Sequence, residues 1–90
     1  MRFIIYREEF VHGVRTTELR DAMFATENEA IARAKQGELF DREVERYLSD
    51  YGHTAAATKD DIMIIRAPEC DRFVGIGLVD ELRPETHVTS

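Results

Sequence analysis

Ninety residues with 43% hydrophobic side chains fit one domain, because a chain this short buries only about 60–65% of its unfolded surface and has no apolar area left for a second core. That hydrophobic share, regularly placed, also excludes a disordered chain. Twelve basic residues against 18 acidic ones give a formal charge of −6, which repels a phosphate backbone at long range and sets direct nucleic-acid binding aside.

In chain order, residues 2–11 are rich in Phe, Ile, Tyr and Val and end at His12-Gly13, a pair able to supply the positive φ angles of a tight turn. The pattern predicts a strand entering a hairpin, with Val11 opposite Val14, Arg7 opposite Glu18 and Tyr6 opposite Leu19. Leu19, Ala22 and Met23 also stand at helical spacing, but the strand is the favoured reading for "TTELRDAMFA". Thr26-Glu27-Asn28-Glu29 reads as a capping box in which Thr26 and Glu29 satisfy free backbone N–H groups. A helical region over 27–51 follows, with Gly52 placed to end it. On a wheel of 100° per residue Phe40, Val44, Tyr47, Leu48 and Tyr51 share one stripe, while Ile31 and Leu39 fall off it. A kink or break at Gly37 would bring the misfits to the same core.

"HTAAATKDD" has no apolar side chain larger than alanine and reads as a surface connection. Residues 61–67 are apolar on both alternating faces, which suits a strand inside the sheet. Pro68-Glu69-Cys70-Asp71 is a turn, and 72–82 a further strand that completes a second hairpin. Residues 1–83 form the domain and 84–90 a polar tail. The expected fold is α+β: a two-layer sandwich, its antiparallel sheet of about four strands in the order β-β-α-β-β, covered on one face by the kinked helix.

Chemistry is harder to find. The three histidines, His12, His53 and His87, lack the spacing at which two imidazoles meet one metal. Cys70 stands between Glu69 and Asp71, whose charge opposes a reactive thiolate. As the single cysteine it allows no internal disulfide, which agrees with a reducing cytosol. "GIG" at 75–77 lacks a third glycine and a following helix, so it reads as room for a close-packed helix or for Phe40 rather than a phosphate cradle. No catalytic residue, cofactor or metal is assigned. No uninterrupted apolar run exceeds four residues, as at 62–65, so no membrane segment is expected and the localisation read is cytoplasmic.

The charged surface carries the functional expectation. On the predicted wheel Lys35, Arg42 and Arg46 follow the crown of the helix, Glu38, Asp41 and Glu45 one flank, and Glu43 and Asp50 the other. Further acid lies at Glu8-Glu9, Asp60-Asp61 and Asp80-Glu81. The leading reading is a small acidic, non-enzymatic module that binds another protein. Its sharper form is an inhibitor blocking a basic nucleic-acid-binding surface, as DNA mimics and phage anti-defence proteins do, through Glu8, Glu9, Glu38, Asp41, Glu45, Asp60, Asp61, Asp80 and Glu81. The alternative is a homo-oligomeric enzyme or ligand-binding subunit, with a pocket between chains lined by Tyr6, Tyr47, Tyr51 and Arg66. Dimerisation through an open sheet face or an edge strand suits either.

Overall fold

A computed structural model describes residues 2–15, 21–52 and 54–80, and of Asp21 the backbone alone. The order is β1 (Phe3–Val11), β2 (Val14–Arg15), β3 (Asp21–Thr26), α1 (Glu29–Tyr51), β4 (Ala55–Lys59), β5 (Ile62–Ala67), a 3-10 turn (Pro68–Cys70) and β6 (Arg72–Asp80). The fold is α+β, with one antiparallel sheet and one helix. The sheet has six strands instead of about four, ordered β2-β1-β6-β5-β4, with β3 paired to the same side of β1 as β2.

The two additional strands have local causes. The residues read as a surface connection contain β4, whose side chains are too small to register as a strand pattern but whose backbone pairs with β5 from Ala55↔Arg66 to Lys59↔Ile62. The segment after the first turn is split. His12 and Gly13 adopt positive φ of 53° and 78°, and Val11 faces Val14 as expected. Farther along, β1 meets β3 in a displaced register, Arg7↔Asp21 and Tyr6↔Ala22, with an irregularity between Ile5 and Tyr6. Arg7 and Tyr6 therefore do not face Glu18 and Leu19, both of which lie outside the described residues. β5 runs inside the sheet between β4 and β6, as expected.

Helix α1 also departs from expectation. It is continuous through Gly37 and starts two residues late, the Asn28 side chain accepting from the Ile31 N–H at 3.1 Å. Thr26 supports this cap, its hydroxyl oxygen accepting from the Asn28 N–H at 3.2 Å. Gly52 closes the helix at φ 79°, its N–H donating to Leu48 O. The buried stripe is Ala32, Gln36, Leu39, Phe40, Glu43 and Tyr47, while Ile31 and Leu48 are about half exposed. A straight helix satisfies that stripe, and no bend is required.

The stripe includes two polar residues because the sheet supplies partners for them. The Gln36 amide donates to the carbonyls of Asp61 (2.7 Å) and Ile76 (3.0 Å), and Glu43 accepts from Arg7 Nε at 2.7 Å. Around these, Phe3, Ile5, Leu39, Phe40, Ile65, Val74, Ile76 and Leu78 form the core on one face of the sheet. α1 lies mainly over β5, β6, β1 and β3.

Candidate functional site

The registers fix which side chains share the face away from α1, since alternate residues of each strand point the same way. One row across it reads Arg15, Phe10, Phe73, Arg66, Ala55; the next Glu8, Gly75, Ile64, Ala57; a third Ala22, Tyr6, Gly77, Ile62, Lys59. Ala25, Ile4 and Val79 complete it. No described element packs against this face.

The first row is a column of π systems. Phe10 and Phe73 stack with ring centroids 4.7 Å apart and 13° between planes. Arg15 lies over the Phe10 ring at 5.5 Å and Arg66 over the Phe73 ring at 5.4 Å. Each ring thus has both faces occupied, one by its neighbour and one by a guanidinium. Beside this column the two glycines of "GIG" make a valley, but not for the helix: they lie on the opposite face. A methyl at Gly77 would sit 2.2 Å from Tyr6 Cζ, so the bare glycine lets the Tyr6 ring lie across the strand, where it is only 4% exposed. Gly75 is close to the Ile62 side chain instead.

The charge of this face opposes that of the chain. Among the described residues of its strands, Arg15, Lys59 and Arg66 stand on it against Glu8, and Glu8 pairs with Arg15 at 3.5 Å. A shallow cleft of about 340 Å³ borders the Arg66 end, lined by Gly13, Arg66, Pro68, Asp71, Arg72 and Phe73.

The described acidic residues singled out from sequence do not converge on one site. Glu8 and Glu9, adjacent on β1, point to opposite faces. Glu9 belongs to a network under α1: its carboxylate accepts from Tyr47 Oη (2.9 Å), Arg7 Nη2 (3.1 Å) and Arg46 Nη2 (3.2 Å). Burial alone would push the Glu9 carboxyl up, but these donors, Tyr47 first and then Arg7, outweigh it and hold the pKa below the ordinary carboxylate value. For Tyr47, burial and then the Glu9 hydrogen bond push the phenol up. Burial works against the Arg7 cation, yet the hydrogen bond to Glu43 and the attraction of the two carboxylates raise its pKa. The second Glu43 oxygen is buried without a hydrogen-bond partner, with Arg46 Nε 3.6 Å away. Arg72 closes the network by donating to Tyr51 Oη.

Elsewhere Asp61 pairs with Arg33 at 3.5 Å, and Asp60 sits exposed in the β4–β5 turn at φ 55°. Asp80 ends β6, half-buried, and Glu81 lies outside the described residues. Glu38, Asp41 and Glu45 do line up, because the helix is turned relative to the predicted wheel. With Ala32, Leu39, Phe40 and Tyr47 facing inward, the exposed ridge Glu38, Asp41, Glu45 becomes the crown and Lys35, Arg42 and Arg46 flank it. Glu38 accepts from Arg42 (2.8 Å) and Lys35 (3.4 Å). Glu43, placed on a flank from sequence, is buried.

Tyr47 and Tyr51 lie on the helix side of the sheet and Tyr6 and Arg66 on the other, so within one chain these four do not share a face. Among the described residues no group of three His, Cys, Asp or Glu side chains could hold a metal ion, and no helix is long and apolar enough to cross a membrane. The signal for the aromatic column was present in sequence, since Phe10 and Phe73 are the aromatic residues nearest the two turns, but the pairing of β1 with β6 that joins them is long-range. No protein-family model, curated protein or solved structure matches the chain.

Proposed function

We propose that this protein is a small non-enzymatic protein-binding module that docks its partner on the helix-free face of the sheet. The observation that carries the reading is the composition of that face: an aromatic and aliphatic centre bordered by Arg15, Lys59 and Arg66 in a chain of net charge −6. Aromatic residues and arginine are the side chains that interfaces concentrate. The fitting partner presents carboxylates around an apolar patch. A nucleobase is a poorer occupant, because stacking needs a free ring face and both phenylalanine rings have theirs covered.

The acidic-inhibitor reading has one observation in its favour, the outward ridge of Glu38, Asp41 and Glu45, and places a basic partner on α1 instead. The two are separated by capture from native extract at low and high salt with two variants, Lys59→Glu/Arg66→Glu on the sheet and Asp41→Asn/Glu45→Gln on the helix. All four positions are exposed, so circular dichroism is expected to stay unchanged. Loss of the salt-sensitive partner from the sheet variant alone is the expected result. Loss from the helix variant alone would move the binding site to the crown, and capture unaffected by either would remove both readings.

A further inference from the structure

Strand β4 carries few of the devices by which an edge strand normally avoids pairing with another chain. Its sequence, Ala55-Ala-Ala-Thr-Lys59, has no proline and no irregularity of register with β5, and it carries one charge, at its last residue. All five residues are exposed. Among the described residues only β5 pairs with this strand. Alanine is a poor strand former, and none of these side chains enters the core. One backbone ladder therefore holds the strand in place, and its outer N–H and C=O groups face away from the sheet.

We propose that β4 pairs antiparallel with β4 of a second copy, joining two sheets into one. Antiparallel pairing of identical strands obeys two-fold symmetry, and the strand's own composition suits it. Centred on Ala57, the five residues overlap fully: Ala57 faces Ala57 of the second copy, Ala56 faces Thr58, and Ala55 faces Lys59. No side chain there is large enough to clash. The two Lys59 residues sit at opposite ends of the ladder, four residues apart and so about 13 Å from one another, beyond the ~8 Å over which salt lets exposed charges interact. Directly opposed residues of an antiparallel pair share a face, so both helices lie on one side and both arginine-bordered faces on the other. The first row of one copy then continues from Arg66 and Ala55 into Lys59 and Ile62 of the second, and the docking surface proposed above becomes bivalent.

A five-residue ladder buries less than the ~1,200 Å² of a stable interface, so the association is concentration-dependent. Sedimentation velocity of the full chain is expected to show the mass rising with concentration from 10.4 kDa toward twice that value. Ala57→Lys and Ala57→Glu each place like charges directly opposite one another and are expected to stay monomeric, whereas their equimolar mixture regains the heavier species. In parallel, hydrogen exchange of β4 amides is expected to slow with concentration in the unmodified chain and not in either variant. A wild-type chain that stays monomeric overturns the proposal, as does association unchanged in both variants or a mixture that fails to recover. Because mass is read without a partner, failure here is distinguishable from failure of the docking reading.

Discussion

Removal of Arg7 is expected to be the most damaging single change at the helix–sheet contact, and more damaging than removal of the carboxylate it holds. Arg7 Nε donates to Glu43 at 2.7 Å, with the two side chains 14% and 10% exposed. In Arg7→Met, Glu43 keeps only the Arg46 guanidinium, at 3.6 Å, and a buried charge stripped of its partner costs about 3 kcal/mol. In Glu43→Leu the outcome differs, because Arg7 retains Glu9 at 3.1 Å and the unsatisfied Glu43 oxygen disappears, leaving a loss of about 1 kcal/mol. With a urea m-value of about 1.5 kcal/mol/M, Arg7→Met lowers the unfolding midpoint by about 2 M and Glu43→Leu by less than about 1 M. The double variant is expected to be more stable than Arg7→Met alone, since apolar replacement of a buried pair is often neutral. Equal losses in the two single variants, or a double variant whose loss is the sum of both, would refute the reasoning.

Gly37→Ala is expected to raise stability by about 0.5–1 kcal/mol in thermal unfolding, because a methyl there meets nothing within 4 Å and the helix is continuous; a loss would restore the kink. Gly77→Ala is expected to lower stability by about 1–3 kcal/mol and to shift the Tyr6 ring resonances, since the new methyl and the ring cannot share the space. Stability is also expected to fall at both ends of the pH range. The pKa of Glu9 is lowered by folding, so its contribution is complete above the ordinary carboxylate value and lost as acid protonates it. The pKa of Tyr47 is raised, so its contribution is complete below the ordinary value of 10.0 and lost as pH climbs past it. Tyr47→Phe should flatten the alkaline decline in a pH series of urea midpoints while the acid decline persists.

Local signals in the sequence carried over well where one turn or one cap decided the outcome. His12-Gly13 closes a hairpin, Gly52 ends the helix, and Pro68 opens a turn, each because its backbone preference needs no distant partner. The failures share a cause. An apolar stripe leaves out Gln36 and Glu43, since a polar side chain is costly to bury, and that cost is offset only when Arg7 and two strand carbonyls arrive from elsewhere in the chain. Excluding them rotated the wheel, placed the cationic residues on the crown, and made a kink at Gly37 necessary. Strand β4 was missed for the complementary reason: an alanine strand has no side-chain pattern, and only the ladder to β5 defines it.

Net charge is a coarse guide to a contact surface. A value of −6 describes how the chain looks from beyond the ~8 Å screening length in physiological salt, whereas a docked partner feels the side chains it touches. Folding sorts those side chains. Glu9 and Glu43 turn under the helix, where arginines neutralise them, and Glu38, Asp41 and Glu45 move to the crown. Arg15 and Arg66 are left over phenylalanine rings on the other side, with Lys59 opposite Ile62 on the same face. A partner with an acidic rim therefore meets repulsion on approach and attraction on contact. Added salt weakens the first more than the second, since exposed long-range charge is screened before desolvated pairs are. Over a modest rise in ionic strength, the association rate of such a partner should increase even as the bound complex dissociates faster. A conventional acidic inhibitor approaching a basic surface would show a falling association rate instead, and stopped-flow measurement across salt would tell which face is in use.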